Sequence, residues 1–125
     1  MSGPAYPPAV LDLFLRAPGA GRPDGPGWAS GEAREPLSAT HVRVHLKAAD
    51  GRIAALRWEA RGCPYTLALA ALLSTQAPGR PLGQALPDIR ALARELDAPV
   101  GKLGRFLVVQ DAMAAAVLLL VPRPA

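Results

Sequence analysis

Apolar and polar residues alternate strictly from His41 to Lys47, with Val42, Val44 and Leu46 on one side and His41, Arg43, His45 and Lys47 on the other. Side chains of a strand point to opposite faces in turn, so this segment predicts a half-buried antiparallel strand. A second alternating run, Ile53 to Arg61, sets Ala54, Leu56, Trp58 and Ala60 against Arg57, Glu59 and Arg61, and Asp50-Gly51 marks a hairpin between the two. A two-residue turn at Asp50-Gly51 would place Val44 opposite Arg57, with charge on the buried side. A three-residue turn, Ala49-Asp50-Gly51, instead pairs Val44 with Leu56 and Val42 with Trp58, and is the expected one. It also sets His41 opposite Glu59 and Arg43 opposite Arg57 on the outer face, a solvated surface or one that meets an anionic partner.

Helical spacing governs the rest. Val10, Leu11, Phe14 and Leu15 follow Pro7-Pro8 and predict a helix over Pro8–Ala17. A helix starts at Pro64, directly after Gly62-Cys63, and ends before Gly79 and Pro81. A shorter one covers about Asp88–Leu96. The last, from about Gly104 to Leu120, is apolar nearly all round beyond Gln110-Asp111 and should be buried centrally or in an interface. Between the first helix and the strands, residues 18–31 are rich in Gly and Pro and read as a surface loop. The expected fold class is α+β, a small antiparallel sheet of about three strands packed against helices.

Composition narrows the class. A chain of 125 residues fits one domain, residues 1–125. The formal charge of +4 comes from 14 basic and 10 acidic residues strung along the chain without a dense basic run, so nucleic acid is not an expected partner. The longest apolar stretch, Ala112 to Val121, is about half of a membrane span and is followed by Pro122, so no membrane is expected. No secretory signal is readable at the N-terminus, and the single cysteine excludes an internal disulfide; both point to a reducing cytoplasm. Ser38, Ser74 and Thr75 have no evident His-Asp relay, and no enzyme activity is expected. The two histidines, His41 and His45, lie roughly 13 Å apart on the strand's outer face, too far to share an ion.

The order of elements carries a resemblance. Tyr6-Pro7-Pro8-Ala9-Val10-Leu11-Asp12-Leu13-Phe14, the strand pair, the Gly62-Cys63 junction into a helix, Gly79-Arg80-Pro81-Leu82 and Gln110-Asp111-Ala112-Met113-Ala114-Ala115-Ala116 together resemble the IscU/NifU N-terminal-type iron–sulfur cluster assembly scaffold family, over nearly the whole chain. The resemblance implies a fold that holds a nascent iron–sulfur cluster, or zinc, on three cysteines plus an Asp or His. It also implies a cysteine desulfurase, or another assembly-pathway protein, as partner. The matching ligand positions here are Ser38, Thr40, Cys63, Gly104 and Arg105, and Cys63 alone can supply a thiolate. The family's chaperone-recognition motif corresponds to Ala98-Pro99-Val100-Gly101-Lys102.

A cluster is normally held by four soft thiolates and structural zinc by four N or S donors, whereas a guanidinium cannot ligate. Neither is therefore expected as a stable cofactor, and the chain reads as a degenerate member that binds or regulates within the assembly pathway. The alternatives are a working scaffold or persulfide acceptor using Cys63, and a redox-sensitive thiol protein outside that pathway. Cys63, at a helix N-terminus and facing Arg105 if the resemblance holds, is either an activated thiolate or a small residue kept by packing. A homodimer is left open.

Overall fold

The computed structural model describes residues 6–121, and the expected stop at Pro122 lies outside them. The elements run α1 (Pro8–Arg16), β1 (Trp28–Glu35), β2 (Thr40–Ala49), β3 (Arg52–Arg61), α2 (Pro64–Gln76), α3 (Ile89–Glu95) and α4 (Leu103–Leu120), with three short 3-10 turns between them. The strands form one antiparallel sheet in the order β1-β2-β3. Its inner face carries Val42, Val44, Leu46, Leu56 and Trp58, all buried, and receives α4 through Phe106, Val109, Ala112, Met113 and Ala116. This α+β architecture matches the sequence expectation, and all four helices stand where the sequence places them, α1, α3 and α4 within one residue of the expected bounds and α2 starting at Pro64.

Two strand expectations need correction. Residues 18–31 do not form one loop, because β1 begins at Trp28 and takes in Gly31. A Cβ on Gly31 would collide with the backbone of Ala112 and Ala116 and with the Ala115 side chain. The glycine therefore lets α4 lie directly on the strand, a close-approach role and not a turn role. The rest of the segment is tied to β3: Gly21 N–H donates to the Trp58 carbonyl (2.8 Å), Trp58 N–H donates to Gly19 (3.0 Å), and the Trp58 indole donates to Pro18 (2.8 Å).

The hairpin register also differs. Ala49 pairs with Arg52 across a two-residue Asp50-Gly51 turn, both residues having positive φ (55° and 73°). That geometry matches the natural twist of the flanking strands. The expected clash of Val44 with Arg57 is removed by a bulge: Ala48 pairs with Ile53 but Lys47 with Ala55, so Ala54 is left over. Beyond it the phase shifts by one residue, giving Val44↔Trp58 and Leu46↔Leu56 as inner pairs. Ile53 becomes the buried residue at the start of β3 and Ala54 turns outward.

The outer face changes accordingly. His41 lies opposite Arg61, Arg43 opposite Glu59 and His45 opposite Arg57, so the expected Arg43–Arg57 pair does not occur. His45 is not solvated: it is buried, with Nδ1 2.6 Å from the Ser30 hydroxyl and Nε2 2.9 Å from Glu59.

By length and composition α4 is apolar enough to cross a membrane; one face of it packs on β1 and β2, while Leu107, Leu118 and Leu119 are exposed.

Candidate functional site

At one end of the sheet the β1–β2 connection, the β3–α2 junction and the start of α4 converge. Pro36–Ser38 form a single 3-10 turn whose N-terminus is capped by Glu35. The Glu35 carboxylate accepts the Leu37 N–H (2.9 Å), the Ser38 N–H (2.8 Å) and the Ser38 hydroxyl (2.9 Å). Ser38 Oγ lies 2.7 Å from Thr40 Oγ1. A hydroxyl has one proton, so with Ser38 donating to Glu35 the Thr40 hydroxyl donates to Ser38, a relay running Thr40 to Ser38 to Glu35. The Ser38 N–H, followed by its hydroxyl, holds the Glu35 carboxyl below the ordinary range against some loss of solvation, and the nearby Arg105 charge acts the same way.

Across from this turn, Cys63 is the N-cap of α2, with extended backbone (φ −77°, ψ 164°) and its carbonyl accepting from Thr66 N–H at 3.0 Å. Pro64 starts the helix because proline fits a first turn that needs no N–H. The Cys63 sulfur is partly buried and lies 3.6 Å from the Thr66 hydroxyl. Burial pushes the Cys63 thiol up, but the Thr66 backbone N–H and hydroxyl, the Arg105 guanidinium and the Tyr65 backbone N–H together outweigh it. The net result is a thiol held below its ordinary value. These are the influences expected to favour a thiolate at a helix N-terminus.

Of the residues singled out in the sequence, Ser38 and Thr40 are in contact, while Arg105 bears on Cys63 as one of the groups that lower its thiol. Gly104 lines, with Glu35, Ser38 and Arg105, an open hollow of about 340 Å³. The Arg105 charge bears on both halves, lowering the Cys63 thiol and the Glu35 carboxyl. Glu35 and Thr66 were missed. A signal existed for each: Glu35 precedes a Pro-started turn whose N–H groups two and three residues on need an acceptor, and Thr66 stands one helical turn after the capping cysteine.

Comparison with solved structures gives the fold an identity. The chain matches the N-terminal domain of a NifU-like protein from Brucella abortus with a TM-score of 0.70 at 17% identity, covering 90% of this chain and 91% of that one. It also matches a protein from Fervidobacterium islandicum AW-1 assigned as an iron–sulfur cluster assembly scaffold for the SUF system, with a TM-score of 0.66 at 15% identity, covering 90% and 96%. No family model matches the chain, and no curated protein matches it in sequence. The fold is IscU/NifU-like.

The donor set here does not fit a cluster or a four-ligand zinc site. Among the described residues no three of His, Cys, Asp and Glu gather closely enough to hold a metal ion. Cys63 is the single thiol, the Ser38 hydroxyl is spent on Glu35 and Thr40, and Arg105 has no donor atom for a metal.

Proposed function

We propose that this protein is a scaffold-like member of an iron–sulfur cluster assembly pathway that acts by binding or regulating other pathway proteins, without holding a cluster autonomously. The observation that carries the reading is the Ser38 hydroxyl committed to Glu35, where the scaffold fold would present a thiolate, and the Arg105 charge that helps lower the Cys63 thiol is in keeping with it. Such a pocket favours anions over cations. The partner is a cysteine desulfurase or another assembly protein that recognises the scaffold fold, and the setting is the cytoplasm. Chemistry at a bound cluster is left to that partner, so no catalytic role is assigned to this chain.

The test is the metal and sulfide content of protein purified without oxygen, together with capture by an assembly-pathway desulfurase. Iron and acid-labile sulfide well below one per chain, with retained desulfurase, support the reading. Stoichiometric cluster that Cys63→Ala removes would overturn it.

The depressed thiol favours a second reading, sulfur acceptance at Cys63. The Cys63 thiolate would attack the terminal sulfur of a desulfurase persulfide; a new S–S bond forms on Cys63, the donor's S–S bond breaks, and the donor leaves as a thiolate. Mass spectrometry after incubation with loaded desulfurase would show one added sulfur on Cys63.

A further inference from the structure

The outer face of the sheet gathers basic residues that are far apart in the sequence. The register stacks them in cross-strand rows: Arg34, His41 and Arg61 in one, Glu32, Arg43 and Glu59 in the next, then Ser30, His45 and Arg57. Together with Lys47 in the following row and Arg22 folded beside Glu59, the face holds six Arg and Lys and two carboxylates. That excess of four equals the formal charge of the whole chain, so the rest of the molecule is balanced.

The rows are not internally neutralised. Both carboxylates sit in the middle row, where Glu32 holds Arg43 at 2.7 Å and Glu59 holds His45 at 2.9 Å. The flanking cations are loosely held: Arg34 is 3.5 Å from Glu32 and Arg22 is 3.5 Å from Glu59, and these two arginine side chains are 69% and 79% exposed. Arg61 makes no ion pair among the described residues, and His41 Nε2, although 3.2 Å from Glu32, has no hydrogen-bond partner. Arg34 and Arg61, two strands apart on either side of His41, leave a row with positive charge and no carboxylate of its own, an arrangement that a bound anion would relieve.

We infer that this face docks an acidic segment of a partner protein, with carboxylates spaced to meet the Arg34–Arg61 row and, roughly 13 Å along the strands, Arg57. Discrete carboxylates suit the pattern better than a nucleic-acid backbone, whose charges recur about every 1.7 Å along the duplex and would run over Glu32 and Glu59. The Arg34–His41–Arg61 row adjoins the candidate site through Glu35 and Thr40, and the inference does not depend on how that site handles sulfur or metal.

The experiment measures binding of a fluorescent oligoglutamate peptide to the full chain at low and physiological salt. A double-stranded oligonucleotide and phosphatidylserine vesicles serve as competing probes. Saturable peptide binding is expected, weakened about tenfold by R34Q/R61Q, as expected for the loss of two exposed charge contacts, and further by R34E/R61E. R90E/R94E, which makes the same change in net charge on exposed positions of α3, should leave the affinity within about twofold. Both reversals are checked for unchanged thermal midpoint, and the Gln pair reads the contact if the Glu pair fails to fold. Absent peptide binding, equal loss in the α3 variant, or tighter binding to the oligonucleotide or vesicles would each overturn the inference.

Discussion

Ser38 donates its hydroxyl to the Glu35 carboxylate at 2.9 Å while its own N–H reaches the same oxygen at 2.8 Å, so one carboxylate both caps the turn and consumes the side chain. A hydroxyl so engaged would have to lose its proton and its Glu35 contact to bind a metal. The turn is therefore built to hold its own backbone.

Restoring thiolates should restore metal binding. Ser38→Cys with Arg105→Cys, added to Cys63, supplies three sulfurs, two of them at positions that line one hollow together with Glu35. About one zinc per chain is expected for the double variant, measured by competition with a chromogenic chelator, and far less for the unmodified chain. Equal zinc in both would show that the present donor set already suffices.

Cys63 should alkylate as an activated thiol. Its iodoacetamide rate plotted against pH is expected to reach half-maximum below the ordinary thiol value of about 8.5. Arg105→Ala and Thr66→Val should each move the midpoint upward, because each removes a group that favours the thiolate. A midpoint at or above the ordinary value would leave burial as the dominant influence.

What the sequence made legible follows from which signals are local. Pro64 after Cys63, and the spacing of Val10 and Phe14, define helix starts and faces within a turn or two, and those helices stand where periodicity puts them. Strand β1 was hidden because Gly31 and a half-exposed run of Ser, Glu and Arg look like loop, and the reason for the glycine lies more than eighty residues away in α4. The bulge at Ala54 was hidden for a related reason. Alternation reads the phase on each side of a bulge correctly but cannot say where it changes. The site was half legible: Cys63, Ser38, Thr40 and Arg105 came from collinear resemblance, while Glu35 acts through backbone N–H groups that residue identity does not display.

Gly31→Ala should destabilise the fold sharply. The added methyl group meets helix backbone at Ala112 and Ala116, which cannot move as a side-chain tip can, so α4 must be pushed off β1. The expected loss is about 1–3 kcal/mol, the range for overpacking, read from urea denaturation. Gly83→Ala, with open space around its Cβ position, is the matched control and should lie within about 0.5 kcal/mol of the parent.

Acid should weaken the fold as carboxylates held by cations and N–H groups take up protons. The Arg43 guanidinium, aided by His41, lowers Glu32 to about 2, while Glu35 and Glu59 are lowered as well. In the unfolded chain Glu32 takes up its proton near the ordinary 4.5. Between these two values the unfolded state binds more protons than the folded one, so stability falls as pH falls through that window and is fully present above it. Thermal midpoints followed from pH 6 downward should therefore drop most steeply below about 4.5. Glu32→Gln should lower the midpoint at neutral pH and flatten the acid slope, because the variant has no proton to take up there. A parallel curve displaced by a constant amount would instead assign the acid sensitivity to the other carboxylates.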